Sequence, residues 1–149
     1  IGPLAYIARP GELDAITEAD SPAAQRRAFD RFWGERLDDR RLAAATVRAY
    51  YERVEEANRL FATYKEGWKT DQGMLYVLLG PPGFVEATPT GERWSYALGG
   101  GGPSLFVFER TAGRPFESAA FSVLTFQRSR AYADLLRHVQ RQWRSGVVP

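Results

Sequence analysis

The run Gly67-Trp68-Lys69-Thr70-Asp71-Gln72-Gly73-Met74-Leu75-Tyr76-Val77-Leu78-Leu79-Gly80-Pro81-Pro82 decides how the rest of the chain is read. Met74 to Leu79 is continuously apolar and strand-sized, and glycines bound it on both sides. That pattern predicts a central β-strand covered on both faces. Gly67 stands where a preceding helix would end on a residue tolerant of positive φ. The Thr70 and Asp71 side chains are suited to bonding backbone amides and shaping the turn into the strand, with Trp68 folded back over the junction. After the strand, Pro82-Gly83 fits a type II turn.

Working outward toward the N-terminus, Leu42 to Tyr64 carries apolar residues at helical spacing: Val47, Tyr50, Tyr51, Val54, Ala57 and Phe61. An earlier helix begins at Ser21-Pro22, where serine caps free amides and proline at the first helical position loses nothing. Its stripe is Ala24, Ala28, Phe29, Phe32 and Trp33, and Gly34 weakens it near the end. Residues 1–20, with Pro10-Gly11, read as an extended lead-in with a turn. Toward the C-terminus, Arg93 to Leu98 alternates, and Leu105 to Phe108 and Ala120 to Phe126 are further β-type runs. Short connections, including Gly99 to Gly102 as a glycine tip, favour an antiparallel meander. Ser129 then caps a last helix with the stripe Tyr132, Leu135, Leu136, Val139 and Trp143. The expectation is an α+β fold: a mainly antiparallel sheet of about four strands with N-terminal helices and a C-terminal helix packed on it. One domain is expected over 1–149, divided into a lead-in with two helices (1–66), the sheet (67–127) and the C-terminal helix (128–149).

The Gly67-Trp68-Lys69-Thr70-Asp71 stretch, followed at once by Gln72-Gly73 and the apolar run into Gly80-Pro81-Pro82, resembles the signature of the bacterial GWxTD domain family. Leu4-Ala5-Tyr6-Ile7-Ala8, the Phe32-Trp33 pair, Tyr50-Tyr51-Glu52-Arg53-Val54 with Ala57-Asn58, Glu92 to Tyr96 and Phe106-Val107-Phe108 are similar to the family's other segments. The likeness spans about 4–127. Gly83 departs from it, because an acidic residue is expected after the second proline. The resemblance implies a bacterial domain, often exported, and it supplies no catalytic residue. A periplasmic, envelope-associated or secreted location rests on it alone.

With 149 residues, 44% apolar and 13% aromatic, the chain can bury a core without staples. No apolar run reaches the roughly 18 residues needed to cross a bilayer. The absence of cysteine removes disulfides, thiolate nucleophiles and cysteine-based metal sites. His138 is the only histidine, so no metal is expected; no cofactor is expected either. A net charge of +2 does not imply a nucleic-acid partner. The positive excess sits at the C-terminal end, where Arg128, Arg130, Arg137, Arg141 and Arg144 face Asp134 alone. That excess could mark a surface for nucleic acid or acidic lipid, and a solvated face is the simpler reading.

The signature offers an indole, an ammonium and a carboxylate, so Trp68, Lys69 and Asp71 form the candidate binding residues. Gly67, Trp68, Thr70, Asp71, Gly80, Pro81 and Pro82 form the structural motif. Gly80 to Gly83 lacks the Lys-Ser/Thr of a phosphate loop, and its two prolines remove two amides such a loop needs. Glu86, Glu92, Glu109 and Glu117 lie in or beside the sheet and are read as turn and edge residues. No catalytic constellation assembles. The expected role is therefore a non-catalytic interaction or structural module, bound to another protein or to another domain of a longer parent chain. A start at Ile1 rather than Met fits a processed or trimmed protein. The alternative is a carboxylate-dependent hydrolase acting near Asp71 and Glu86.

Overall fold

The computed structural model describes residues 1–34, 39–97, 105–110 and 123–149. A 3-10 turn, Gly2–Tyr6, leads into helices α1 (Glu12–Thr17), α2 (Pro22–Gly34) and α3 (Arg40–Phe61). A second 3-10 turn, Gly67–Lys69, is followed by helix α4 (Asp71–Leu79). Strands β1 (Phe84–Thr88), β2 (Gly91–Ser95), β3 (Leu105–Arg110) and β4 (Leu124–Phe126) then form one antiparallel sheet in the order β1-β2-β3-β4, and helix α5 (Arg130–Arg144) closes the chain. This is the α+β fold expected, with a four-stranded antiparallel sheet. No helix among the described residues is long and apolar enough to cross a membrane.

One expected element is of the other kind. Met74 to Leu79 is not a strand but the body of α4, and every residue from Gly73 to Leu79 is buried. A helix that is apolar all round belongs inside a core, and over so few residues it shows the same unbroken pattern as a central strand. The start signal settled the type: the Thr70 side chain accepts from the Gly73 amide at 2.9 Å and caps the helix. The first strand instead lies beyond the prolines, at Phe84–Thr88, where four of five residues are exposed and no burial alternation marks it.

Smaller differences follow the same logic. Residues 1–20 are mostly helical, with Gly11 at φ 80° before α1, not an extended lead-in. Helix α3 ends at Phe61, short of Tyr64, so Gly67 opens the next turn and does not terminate α3. Positive φ falls on Gly80, at 83°, and not on Gly83, so the type II turn is not formed. Leu105 is exposed, so β3 is covered on one face only. Ser21 and Ser129 cap their helices as expected, accepting from the Ala24 and Tyr132 amides. The Gly99 to Gly102 tip, Glu117, Leu98 and the start of the Ala120 to Phe126 run lie outside the described residues.

The core gathers around α4. Trp94, Phe106 and Phe108 are buried on the helix-covered face of the sheet, with Phe126 partly buried beside Phe108. Tyr50, Val54 and Ala57 of α3 and Tyr132, Leu135, Val139 and Trp143 of α5 complete it. The far end of α4 is sealed by side chains. The Leu78 carbonyl accepts from Trp143 Nε1 at 3.0 Å and from Arg53 at 3.3 Å, and the Gly80 carbonyl accepts from the Tyr96 hydroxyl at 3.0 Å. These bonds satisfy carbonyls that a helix C-terminus leaves without internal partners.

Burial raises the hydroxyl pKa of several core tyrosines. Those of Tyr6 and Tyr132 are pushed up to about 12, with the Asp71 carboxylate adding to the rise, and those of Tyr50 and Tyr96 are pushed up as well. A folded pKa above the unfolded value of about 10 favours the protonated, folded form at and below that pH. The contribution is then lost as pH climbs through the folded value. Urea midpoints measured across this range should fall between about pH 10 and pH 12, alongside tyrosinate absorbance. A midpoint that stays level through that window would contradict the assignment.

Candidate functional site

The five residues from Gly67 to Asp71 form a clasp that meets α3, the 3-10 turn Gly2–Tyr6, α4 and β4. Gly67 lies so close to α3 that a Cβ there would sit 2.0 Å from the Ala57 carbonyl oxygen. The Gly67 carbonyl accepts from both the amide and the hydroxyl of Thr70, at 3.0 and 2.7 Å. On α4, a Cβ at Gly73 would lie 1.9 Å from the same carbonyl oxygen, so both glycines are required by close backbone approach.

Trp68 is half-buried, not enclosed. Its amide donates to Asn58 Oδ1 at 3.2 Å and its carbonyl accepts from the Tyr6 hydroxyl at 2.6 Å. The indole meets the Tyr6 ring edge-on at 5.9 Å. Lys69 points outward: it pairs with Glu66 across one turn and stands 5.1 Å from the Trp68 ring centroid. Thr70 is only 3% exposed and caps α4.

Asp71 acts at long range. Its Oδ2 accepts from the Phe126 amide on β4 at 2.8 Å, and its Oδ1 lies 3.4 Å from the Arg128 guanidinium. The backbone bond foreseen for Asp71 is present, but its donor lies 55 positions away and not in the adjoining turn. Residue order explains the geometry. Gln127 turns its amide toward Val107 of β3, and its neighbour Phe126 turns the opposite way, toward Asp71. The carboxylate therefore covers an amide on the outer edge of β4. At the first turn of α4 it also meets the positive end of the helix dipole.

Sequence reading missed several partners of this clasp. Tyr6, Asn58, Gly73, Phe126 and Arg128 all bear on it; Tyr6, Asn58 and Gly73 stand in segments that resemble the family, but no local pattern assigns any of the five to the clasp. Gly80, Pro81 and Pro82 form the exit from α4, where a Cβ on Gly80 would meet Arg53 at 2.9 Å. They lie at the opposite end of the helix from Asp71.

The carboxylates do not converge. Glu86 on β1 pairs with Arg93 at 3.5 Å, Glu92 accepts from Trp94 Nε1 and Gln72, and Glu109 accepts from Gln127. Asp71 lies against β4 and Glu86 on β1, with β2 and β3 between them. Three inter-strand spacings amount to about 14 Å. Paired carboxyls of the glycosidase kind work at about 5–10 Å. His138 is exposed on α5. Among the described residues no group of three or more His, Asp or Glu side chains is placed to hold a metal.

This geometry makes the signature a set of tertiary contacts with separable energies. Gly73→Ala should cost about 3 kcal/mol or more, because the added methyl meets backbone. Asp71→Ala should cost about 1.5–3 kcal/mol, as an amide loses a charged acceptor, and Asp71→Asn should cost less. Lys69→Ala should stay within about 0.5 kcal/mol. Denaturant unfolding of the four variants checks the ranking. A Lys69 variant as damaged as the Gly73 variant would contradict it.

Comparison with curated proteins and with solved structures found no match. The profile of the GWxTD domain matches residues 1–145, nearly the whole chain, including every residue of the clasp and both of its long-range anchors, Tyr6 and Phe126. The chain belongs to the GWxTD domain family.

Proposed function

We propose that the domain is a non-catalytic protein-interaction module, and that its contact surface is the open edge of the sheet at β1. The supporting observation is the difference between the two edges. The β4 edge meets Asp71 and α4. The β1 edge has no strand beside it among the described residues, and Phe84 is 64% and Val85 45% exposed. The register sets Phe84, Ser95 and Leu105 in one row across the outer face, and Leu105 is 53% exposed. A strand edge with apolar side chains on both faces is suited to an extended segment of another protein, which would add as a fifth strand.

The partner is another protein or another domain of a longer parent chain. A bacterial envelope or secreted setting is part of the same reading and rests on the family resemblance. The hydrolase reading has no comparable support, because Asp71 and Glu86 stand at opposite edges of the sheet.

A photo-crosslinking residue placed at position 84 or 85 in native cells should trap one partner. The charged double variant Phe84→Lys/Val85→Lys should reduce that partner's recovery about tenfold while the thermal midpoint changes little. Equal recovery from parent and double variant, or trapping only from probes placed at Lys69, would refute the assignment to β1.

A further inference from the structure

Away from the sheet, the backbone of Ile7 to Arg9 and one face of α5 enclose an open cleft of about 460 Å3. Arg9, Arg137, Arg141 and Arg144 line it, and the partly exposed Ala8 supplies an apolar wall. These arginines are not equivalent. Arg144 is fixed: its guanidinium donates to the Ile7 carbonyl at 3.1 Å and to both oxygens of Glu12 at 2.6–2.7 Å, and it stacks 5.2 Å from the Phe32 ring centroid. Its side chain is 9% exposed, and its Nε is buried with no hydrogen-bond partner. Arg137 pairs with Asp134 on the same helix. Arg9 and Arg141 are exposed, and neither guanidinium meets a carboxylate among the described residues. Four guanidinium groups therefore share two carboxylates, and the uncompensated charge sits at the mouth of a partly apolar hollow.

We propose that this cleft binds an organic anion, a carboxylate or phosphate group carried on an apolar body. Arg9 and Arg141 are the recognition residues, and Arg144 is a positioning residue that holds the two walls together. The guanidinium fork matches both anionic groups with paired hydrogen bonds. The aliphatic stems of the arginines, with Ala8, give the apolar body a surface to cover. A nucleic acid fits less well, since the chain carries only +2 overall. A lipid surface would call for a broader face of about four to eight basic groups. The cleft shares no residue with the β1 edge, so each reading stands or falls alone.

Calorimetric titration of the intact domain at low salt tests it, with naphthyl phosphate, naphthoate, neutral naphthol, inorganic phosphate and phosphatidylglycerol vesicles as probes. Both naphthyl anions should bind saturably, and naphthol and inorganic phosphate should each bind about tenfold or more weakly than naphthyl phosphate. Added salt should weaken the anions and leave naphthol unchanged. The double variant Arg9→Ala/Arg141→Ala should lose about tenfold or more in affinity for naphthyl phosphate with an unchanged thermal midpoint, since neither side chain holds the fold. Arg141→Lys should keep only part of the affinity, because the charge remains and the fork is gone. Naphthol binding as tightly as the anions, parent-like affinity in the double variant, or binding to vesicles alone would overturn the proposal.

Discussion

A nine-residue apolar helix passes through the centre of this domain, and burying it commits the rest of the fold. Its side chains cohere on every side, because seven consecutive residues from Gly73 to Leu79 are buried. The difficulty is its backbone. A helix end leaves amides and carbonyls without internal partners, and a buried group left unpaired costs about 1–3 kcal/mol. At the N-terminus Thr70 supplies the acceptor. At the C-terminus Trp143, Arg53 and Tyr96 supply donors, drawn from α5, α3 and the segment following β2. Thr70, Trp143, Arg53 and Tyr96 thus seal the two ends of α4, and they tie four parts of the chain together.

Seen this way, the family signature is the N-terminal half of that arrangement. Gly67 and Gly73 let three backbone segments approach closely, Thr70 caps the helix, and Asp71 turns the same helix end against the edge of β4. One carboxylate thus fixes the α4–sheet angle and occupies an edge amide that would otherwise be open to strand pairing. Lys69, the variable position within the signature, is the one that faces outward. The Thr70 hydroxyl and the Asp71 carboxylate are both engaged in holding the junction.

Much of this was legible in the sequence, and the exceptions share a cause. Helices α2, α3 and α5 are amphipathic, so their apolar spacing fixed type and facing, and the serine caps of α2 and α5 fell where capping chemistry places them. Arg93 to Tyr96 alternates because one face of the sheet is covered by helices, whereas Leu105 to Phe108 is apolar throughout, a pattern that suggests cover on both faces, and only its burial alternates. Met74 to Leu79 misled because period disappears when an element is buried all round: a short strand and a short helix then share one pattern. Phe84–Thr88 escaped notice for the opposite reason, being exposed on both faces. The clasp was legible in its own five residues and not in its partners. Tyr6 and Phe126 lie 62 and 55 positions away along their hydrogen bonds, and nothing local marks them.

If the sealed ends of α4 are what the fold depends on, its amides should be the last to open. Native-state hydrogen exchange at increasing denaturant measures this residue by residue. The account predicts that the amides of Met74 to Leu79 exchange only through global unfolding, with opening free energies equal to the total stability and matched by those of Val54 and Ala57 on α3. Exchange of α4 through a local opening, several kcal/mol easier than that of α3, would contradict it.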